Sequence, residues 1–357
     1  MQERGKAAVA DKSEDAPKDS KEPASGGGLP SVTIAYIAES AGVSVPTVSK
    51  VLNGRSGVSD ETRARVEKLI NKYGYRKPSG SRRQKIVELV FRELESMWGV
   101  EILRGVEEVA RRNRIGVMVS KLGLHDSKAG MDETAGRRPQ CVLSVSWLSE
   151  AERDRLAANS IPYVVFDPID DVPDGVPYVA ATHFRGGQSA ARHLIGLGHR
   201  RIAMISGPDH AFCLARMAGY RSALDTAGLA VDPELIVRMQ LTREDGYAAA
   251  GELLARPDRP TAIFTANDLQ ALGVYQAARE AGLRIPEDLS VVGYDDVPVT
   301  AWVDPPLTTV HQPLTEMAAA ATELALTLGR GEKIPQIGLE IATHLVVRES
   351  TAPPPRD

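Results

Sequence analysis

The side chains with the clearest chemistry lie between Thr33 and Asn53, where small hydroxyl groups alternate with apolar residues and a lysine. Two short helices are predicted to meet at Gly42, and Ser44 is a residue type that caps the start of a second helix. This helix-turn-helix geometry lays the second helix in the major groove of DNA. The segment therefore predicts sequence-specific DNA binding.

The outer face of the second helix combines two kinds of contact. Val45 and Pro46 offer apolar contact, for instance to a thymine methyl group, and Lys50 can donate to guanine O6 and N7. Hydroxyl and amide groups suit phosphate oxygens, which set the register rather than the sequence. A purely structural helical bundle is the alternative. The predicted phosphate and backbone contacts come from Thr47, Ser49, Asn53, Ser44, Thr62 and Arg63, and Thr33 completes the DNA-binding set.

The charge of the 357-residue chain is unevenly distributed. The net charge is −4. Residues 31–85 nevertheless hold 11 Lys or Arg against 4 Asp or Glu, so a small basic segment precedes a larger acidic one. This asymmetry indicates that one end of the protein meets a polyanion. Residues 1–30 are rich in Lys, Glu, Asp, Ala, Ser and Pro, which predicts a disordered tail.

Several classes of protein are not expected. No apolar run approaches the ~20 residues that cross a bilayer. The N-terminus has no apolar core of a secretory signal, so a cytoplasmic protein is expected. Cys141 and Cys213 fit neither a disulfide framework nor a zinc site, and we expect no metal or cofactor. Phosphate-loop and nucleophile-elbow motifs are absent, which argues against an enzyme. For His199 we expect a cation at a helix end rather than a catalytic base.

The elements that must position these side chains follow two patterns. Residues 31–75 predict three helices, capped by Thr33, Ser44 and Ser59. From Ile86, short apolar strands alternate with amphipathic helices, which predicts parallel sheets with helices on both faces. The length favours two Rossmann-like halves facing a cleft. The predicted strands are 86–91, 115–120, 141–146, 161–166, 201–206, 262–265 and 289–293, and the predicted helices are 99–112, 150–158, 185–197, 214–227, 243–256, 269–281 and 314–328.

The motifs resemble those of a known family. VTIAYIAESAGVSVPTVSKVLNG and VSDETRARVEKLINKYGY, within residues 32–75, are similar to the headpiece of the lactose-repressor (LacI/GalR) family of bacterial transcription factors. Six later blocks extend the resemblance to about residue 350. The resemblance implies a homodimer that binds a near-palindromic operator in double-stranded DNA. The blocks are residues 101–107, 197–202, 216–220, 266–268, 290–296 and 306–310.

The expected fold class is therefore multidomain, α followed by α/β. A helix-turn-helix headpiece precedes a two-lobed, periplasmic-binding-protein-like core of two Rossmann-like parallel sheets. The expected boundaries are a disordered tail at 1–30, a headpiece at 31–75, a basic hinge linker at 76–85, a first lobe at 86–182 and 312–333, a second lobe at 183–311 and 334–350, and a tail at 351–357.

The linker departs from the family pattern. Relatives usually have a hinge helix of the type Asn-x-x-Ala-x-x-Leu, whose leucine wedges into the minor groove. The corresponding residues are Pro78, Ser81 and Gln84. Pro78 and Gly80 oppose a helix, and Gln84 is a poor wedge. We therefore do not expect a leucine-wedge kink. Arg82 and Arg83 either enter a narrow minor groove or belong to a flexible tether bound to phosphates.

Candidate ligand contacts lie at strand ends and helix starts, where open α/β sheets bind ligands. Flat aromatic faces and planar polar groups suit sugars. By position the candidates include Trp98 and Asp167, with Trp147 and Trp302 as further platforms. The alternatives are core or rim tryptophans, capping of the helix after Asn267 and Asp268, and a structural ion pair. The resemblance matches Trp98, Arg216, Tyr247, Asn267 and Asp295 to positions where relatives touch effector.

These observations predict a DNA-binding regulator, by default a repressor, whose operator affinity is controlled by a small sugar. Residues 89–98 and the truncated hinge are similar to those of actinobacterial regulators of plant-polysaccharide use, which suggests an oligosaccharide such as cellobiose or xylobiose. The alternatives are an activator, or a regulator that responds to a nucleoside or a phosphorylated sugar. A sugar-binding transport protein would share the cleft but needs a signal peptide and carries no headpiece.

Overall fold

The computed structural model describes residues 34–52, 56–73, 83–92, 97–122, 127–145 and 148–355. The chain divides into two compact units after Arg82. The second unit, the core, contains Arg83, and its first strand begins at Gln84. The basic linker, expected over 76–85, therefore ends at residue 82, because β1 includes two exposed polar residues, Gln84 and Lys85, before the apolar pattern begins at Ile86.

Three short helices form the headpiece. The apolar residues recur at helical spacing, and Ile37, Val48 and Val66 are fully buried against one another. Ser59 caps the third helix, as predicted, because its hydroxyl accepts the backbone N–H of Thr62. The helices are α1 (Ile34–Ala41), α2 (Val45–Leu52) and α3 (Asp60–Lys72).

The first lobe of the core is a six-stranded parallel sheet in the order β11-β5-β4-β3-β1-β2. Its strands are β1 (Gln84–Phe91), β2 (Gly116–Lys121), β3 (Pro139–Val145), β4 (Tyr163–Phe166), β5 (Tyr178–Ala181) and β11 (Gly338–Ile341). Helices cover both faces: α4 (Met97–Arg112), α5 (Ser127–Arg137), α6 (Glu150–Ala158) and α11 (Leu314–Gly329).

The second lobe repeats this arrangement in the order β12-β10-β9-β8-β6-β7, with only β12 antiparallel to its neighbour among the described strands. Its strands are β6 (Ile202–Ser206), β7 (Ile236–Arg238), β8 (Ala262–Thr265), β9 (Ser290–Asp295), β10 (Thr308–His311) and β12 (His344–Val346). The flanking helices are α7 (His183–Gly196), α8 (Ala211–Thr226), α9 (Arg243–Leu254) and α10 (Asp268–Glu280).

The predicted strands and helices of the core are all present, but one boundary is corrected. Residues 334–350 were assigned to the second lobe, yet β11 pairs with β5 in the first sheet. The chain thus passes between lobes after β5, after β10 and again between β11 and β12. Thr182 and Thr343 hold two of these crossovers together, since the Thr343 backbone N–H donates to the Thr182 hydroxyl at 3.0 Å.

The C-terminal segment belongs to the second lobe rather than to a tail beginning at residue 351. The Ala352 backbone N–H donates to the Ser290 hydroxyl at 3.0 Å, and the Val291 N–H donates to the Ser350 carbonyl. His199 lies against the same segment, with Nε2 2.9 Å from the Ala352 carbonyl. Burial lowers the pKa of His199, which disfavours the cation expected at this helix end.

Close helix contacts depend on glycine at two positions. A Cβ atom at Gly187 of α7 would lie 2.0 Å from the Arg216 carbonyl of α8, and one at Gly219 of α8 would lie 2.0 Å from the Phe184 carbonyl of α7. Backbone atoms cannot move far enough to relieve a contact of 2.0 Å, so the two helices cross at this distance only because both residues lack a side chain. The crossing sets the position of Arg216.

We predict that Gly187→Ala lowers the free energy of unfolding by about 1–3 kcal/mol, because the added methyl group forces α7 and α8 apart. Denaturant unfolding followed by circular dichroism measures this change. Gly196→Ala in the same helix is the matched control, since nothing lies within 4 Å of its Cβ position. We expect the control to be neutral or slightly stabilising; equal losses in both variants would contradict the crossing argument.

Candidate DNA-binding surface and ligand cleft

Two helices of the headpiece begin with the same pair of hydroxyl residues. Ser44 accepts the Thr47 backbone N–H at 3.4 Å, and the two hydroxyl oxygens lie 2.9 Å apart. Ser59 and Thr62 repeat both distances at the start of α3. A capped helix start directs backbone N–H groups outward, which suits a phosphate oxygen.

The exposed face of α2 carries the residues predicted to contact bases. Val48 is buried in the headpiece core, whereas Pro46 and Lys50 are exposed and Val45 is 40% exposed. The Lys50 ammonium lies beside Gly57, in the turn before α3. One lysine and a small apolar patch are thus presented together.

The remaining predicted DNA contacts lie only partly within the described residues. Ser49 and Arg63 are partly exposed on α2 and α3. Thr33, Asn53 and Arg82 lie outside the described residues.

Arg83 differs from the other predicted DNA contacts because its side chain is bound to the core. Its guanidinium donates to the Gly329 carbonyl at 2.6 Å and to the Ser160 carbonyl. These two bonds hold the guanidinium against the core. Arg83 is therefore not included in the DNA-binding surface proposed below.

In the core, a buried polar network forms where the strands of both lobes end. Asp167 follows β4 and Asp295 ends β9, while Arg216 extends from α8. Gln312 connects them: its amide nitrogen donates to Asp167 at 2.7 Å, and its amide oxygen accepts from Arg216 at 3.0 Å. Arg216 lies 3.5 Å from Asp295, and His183 lies 2.8 Å from Asp167. The network joins the first lobe to the second.

The Arg216 guanidinium is held on every side. Its central carbon lies 3.6 Å from the centre of the Tyr294 ring, and its Nε donates to His183 at 3.3 Å. The carbonyl of Ala266 accepts from Nη1. Burial alone would lower the pKa of Arg216, but Tyr294 and Asp295 outweigh burial and raise it. A fixed, buried cation of this kind can orient a ligand's hydroxyl or carboxylate oxygens.

The two carboxyl groups of the network have opposite pKa shifts. Burial raises the pKa of Asp295 to about 7, although Arg216 opposes the rise. For Asp167 burial acts in the same direction, but His183 and Arg216 outweigh it and the pKa is lowered. Both residues have left-handed backbones, with φ of 105° and 47°. Such backbone strain in non-glycine residues is concentrated at functional sites.

The side chains of Asn267 and Asp268 both form hydrogen bonds with neighbouring protein groups. The Asn267 side chain accepts the Gln270 N–H at 2.9 Å, which caps α10, and donates to the Leu241 carbonyl. Asp268 accepts from the Thr309 hydroxyl at 2.6 Å and from a backbone N–H. Burial raises the pKa of Asp268 well above its usual value. Asn267 thus positions the helix that borders the network.

The described aromatic residues that were predicted to contact the effector do not lie at one common site. Trp98, at the start of α4, packs edge-on against Phe166 at 5.8 Å, just before Asp167 in the chain. The Tyr247 hydroxyl donates to Glu280, the last residue of α10, about 18 Å along the helix axis from its start near the network. Trp302 is 72% exposed on the second lobe. Trp147 lies outside the described residues.

A cavity of about 310 Å³ adjoins the network. Asp167 and His183 form one wall, and Phe212 and Tyr178 contribute aromatic surface. Among the six predicted effector contacts, only Asp167 borders this cavity. The volume lies at the lower end of the range for small-molecule sites.

Sequence reasoning missed His183 and Gln312. Each lies just after a four-residue strand, β5 or β10, and neither strand was predicted. A signal was present, because His183 is the first residue of α7 and Gln312 lies two positions before α11. Strand ends followed by helices are where such sheets bind ligands.

Other chemistry has little support in the described parts of the chain. Burial raises the pKa of Cys141 to about 12 and that of Cys213 to about 11, so both thiols stay protonated. The described residues contain no His, Cys, Asp or Glu cluster suited to a metal ion. None of the helices described is both long and apolar enough to span a membrane.

Comparison with known proteins identifies both parts of the chain. Residues 33–78 match the model of "Bacterial regulatory proteins, lacI family", and residues 191–351 match "Periplasmic binding protein-like domain". The chain is 34% identical over 340 residues to the HTH-type transcriptional regulator CelR of Thermobifida fusca, covering 89% of this chain and 98% of CelR.

Solved structures show the same architecture. The transcriptional regulator CelR–cellobiose complex is similar with a TM-score of 0.70 and 34% identity, covering 89% of this chain and 99% of that one. The lac repressor dimer bound to operator and the anti-inducer ONPF is similar with a TM-score of 0.66 and 27% identity, covering 90% and 99%.

A helix-turn-helix headpiece joined to a two-lobed binding core defines a ligand-responsive transcriptional regulator. The chain belongs to the lacI family of bacterial regulatory proteins. That family consists of regulators rather than enzymes.

The raised pKa of Asp295 predicts a pH-dependent stability. The folded protein binds a proton that the unfolded chain has released, so stability falls as pH rises from about 4 to about 7. Asp295→Asn removes this ionisation. We expect the stability of this variant relative to wild type to be roughly 1–3 kcal/mol higher at pH 8 than at pH 5. Denaturant unfolding at both pH values measures the difference.

Asp296→Asn is the neighbouring control with the opposite sign. His311 and Arg348 outweigh burial and lower the pKa of Asp296. Its carboxylate therefore stabilises the fold at neutral pH, and that contribution is lost as pH falls through the lowered pKa. The substitution should destabilise the protein most at pH 8. A pH-independent effect of Asp295→Asn would contradict its assignment.

Proposed function

We propose that the protein is a homodimeric repressor that binds a near-palindromic operator, and that an oligosaccharide in the core cleft changes its operator affinity. The observation that carries the ligand part is the buried network of Asp167, Gln312, Arg216 and Asp295. Because its members come from both lobes, a ligand that replaces any of these bonds changes how the lobes are held.

The DNA-binding part rests on the headpiece. Val45, Pro46 and Lys50 share an exposed face and are proposed to contact bases. Phosphate contacts are proposed for the hydroxyl groups at the starts of α2 and α3. A similar protein, the lac repressor dimer, is bound to operator in its structure, which supports the dimer and the operator. The proposed phosphate contacts are Ser44, Thr47, Ser49, Thr62 and Arg63, with Thr33, Asn53 and Arg82 added from the sequence.

The effector class rests on the cleft chemistry and on a relative. The similar CelR structure is a cellobiose complex. In this chain, Trp98 packs edge-on against Phe166, the residue before Asp167, and we assign Arg216 and Asp295 as planar polar groups for hydroxyls. We therefore propose a disaccharide such as cellobiose or xylobiose. The proposed contacts are Trp98, Asp167, Arg216, Asn267, Asp295 and Gln312, without Tyr247, whose hydroxyl is bound at the far end of α10.

Substitutions on α2 test the DNA-binding surface. We predict that Lys50→Ala relaxes specificity at one base position and reduces affinity for the preferred site by about 1–3 kcal/mol. Thr47→Ala should weaken binding to all sequences alike. Mobility shift on the selected operator and on random DNA measures both effects. Equal losses on both DNAs for Lys50→Ala would contradict its role in reading bases.

Calorimetry with cellobiose and xylobiose, with and without operator DNA, tests the effector. We predict that Trp98→Ala weakens binding of the active disaccharide about tenfold, because an aromatic stacking surface is lost. Operator affinity without sugar should not change. Tyr247→Phe is the matched control and should retain wild-type sugar affinity.

Three outcomes of the calorimetry would revise the proposal. Binding of a nucleoside or a phosphorylated sugar instead of either disaccharide would replace the effector class. A sugar that tightens operator binding would replace relief of repression with co-repression or activation. A loss of sugar affinity in Tyr247→Phe equal to that of Trp98→Ala would restore Tyr247 to the site.

A further inference from the structure

Arg83 connects the first residue of the core to the ends of two helices. Its guanidinium donates to the carbonyl of Gly329, the last residue of α11, at 2.6 Å. It also donates to the carbonyl of Ser160, just beyond α6. The next residue is held as well, because the Gln84 backbone N–H donates to the Arg138 carbonyl at 2.9 Å. The start of the core is thus fixed by three carbonyl groups from three elements.

The chemistry of these acceptors favours arginine. Carbonyl groups at a helix C-terminus carry partial negative charge, so a cation placed there is stabilised. The planar fork of a guanidinium can donate to two separated carbonyls at once, whereas a lysine ammonium is a single point charge. Arg330, the neighbouring cation, is instead paired with Glu332 at 2.7 Å. The Arg83 side chain therefore fills a specific position.

Helix α11 links this position to the ligand cleft. It begins at Leu314, two residues after Gln312 of the buried network, and ends at Gly329. Its 16 residues span about 24 Å. It packs closely on α4, since a Cβ at Gly105 would lie 2.1 Å from the Thr315 carbonyl. A movement of the helix start at the cleft therefore displaces the carbonyl that holds Arg83.

We propose that Arg83 is a positioning residue that fixes where the linker leaves the core and couples that point to α11, rather than a DNA contact. The proposal rests on the proposed function in taking the headpiece as the DNA-binding unit of a homodimer that binds two half-sites. By fixing the origin of the linker, Arg83 limits the volume that each headpiece can reach. Two headpieces restricted in this way meet two half-sites at a higher effective concentration.

The first measurement is hydrogen exchange of the full-length protein without DNA. Arg83→Ala and Arg83→Lys should both accelerate exchange at the Gln84 amide and its neighbours in β1 by about tenfold, because the strand start is released. Lys85→Ala, which removes an exposed cation two residues away, should leave exchange unchanged. Unchanged exchange in both Arg83 variants overturns the proposal, whatever the effector or operator proves to be.

The second measurement is binding to a palindromic fragment selected from random DNA, as a function of salt. Loss of one phosphate contact reduces the slope of log affinity against log salt by about 0.9. We expect the slope to stay unchanged in Arg83→Ala. A reduced slope that Arg83→Lys restores overturns the proposal, because lysine retains a phosphate contact but cannot bridge the two carbonyls.

The third measurement separates positioning from stability. At a temperature well below unfolding, the ratio of affinities for the selected fragment and for random DNA should fall about three- to tenfold in both Arg83 variants. A purely structural role would leave that ratio unchanged, and this result also overturns the proposal. Failure to select any specific fragment would instead count against the proposed function, while the exchange result would still decide the role of Arg83.

Discussion

The arrangement of the core depends on the buried Arg216 guanidinium. A cation removed from water is tolerated only when nearby groups compensate its charge and accept its N–H groups. Here the compensation comes from Asp295, Gln312, the Ala266 carbonyl and the Tyr294 ring. These groups come from the ends of three neighbouring strands, β8, β9 and β10, and Gln312 extends the network to Asp167 in the first lobe. The need to compensate the buried charge of Arg216 thus constrains the strand ends of both sheets.

The two lobes have corresponding strand orders, but the aspartates that they contribute to the cleft differ in their pKa values. Their strand orders correspond position by position, so β4 is equivalent to β9. Each of these strands is followed or ended by an aspartate with a left-handed backbone, Asp167 or Asp295. Their surroundings shift the two pKa values in opposite directions. A duplicated backbone therefore presents one ionised carboxylate and one carboxyl group that titrates near neutrality.

The sequence predicted the architecture well because the long helices and apolar strands have strong periodicity. It did not predict β10, whose residues Thr308–His311 include two buried threonines and little apolar surface. Pairing with β9 holds that strand in place, and no local pattern shows such pairing. Gln312, which follows β10, was missed for this reason. The resemblance gave Tyr247 only a position in the chain, whereas tertiary packing determines that its hydroxyl binds Glu280.

The three crossovers also govern the order in which the polypeptide can fold as it is made. The first lobe lacks α11 and β11 until residue 341 has been synthesised, and the second lobe requires Ser350 and Ala352 to complete the hydrogen bonds of β9 and His199. The headpiece helices are complete by Lys72. Since domains emerge from the ribosome in chain order, a three-helix headpiece can form long before the core that regulates it.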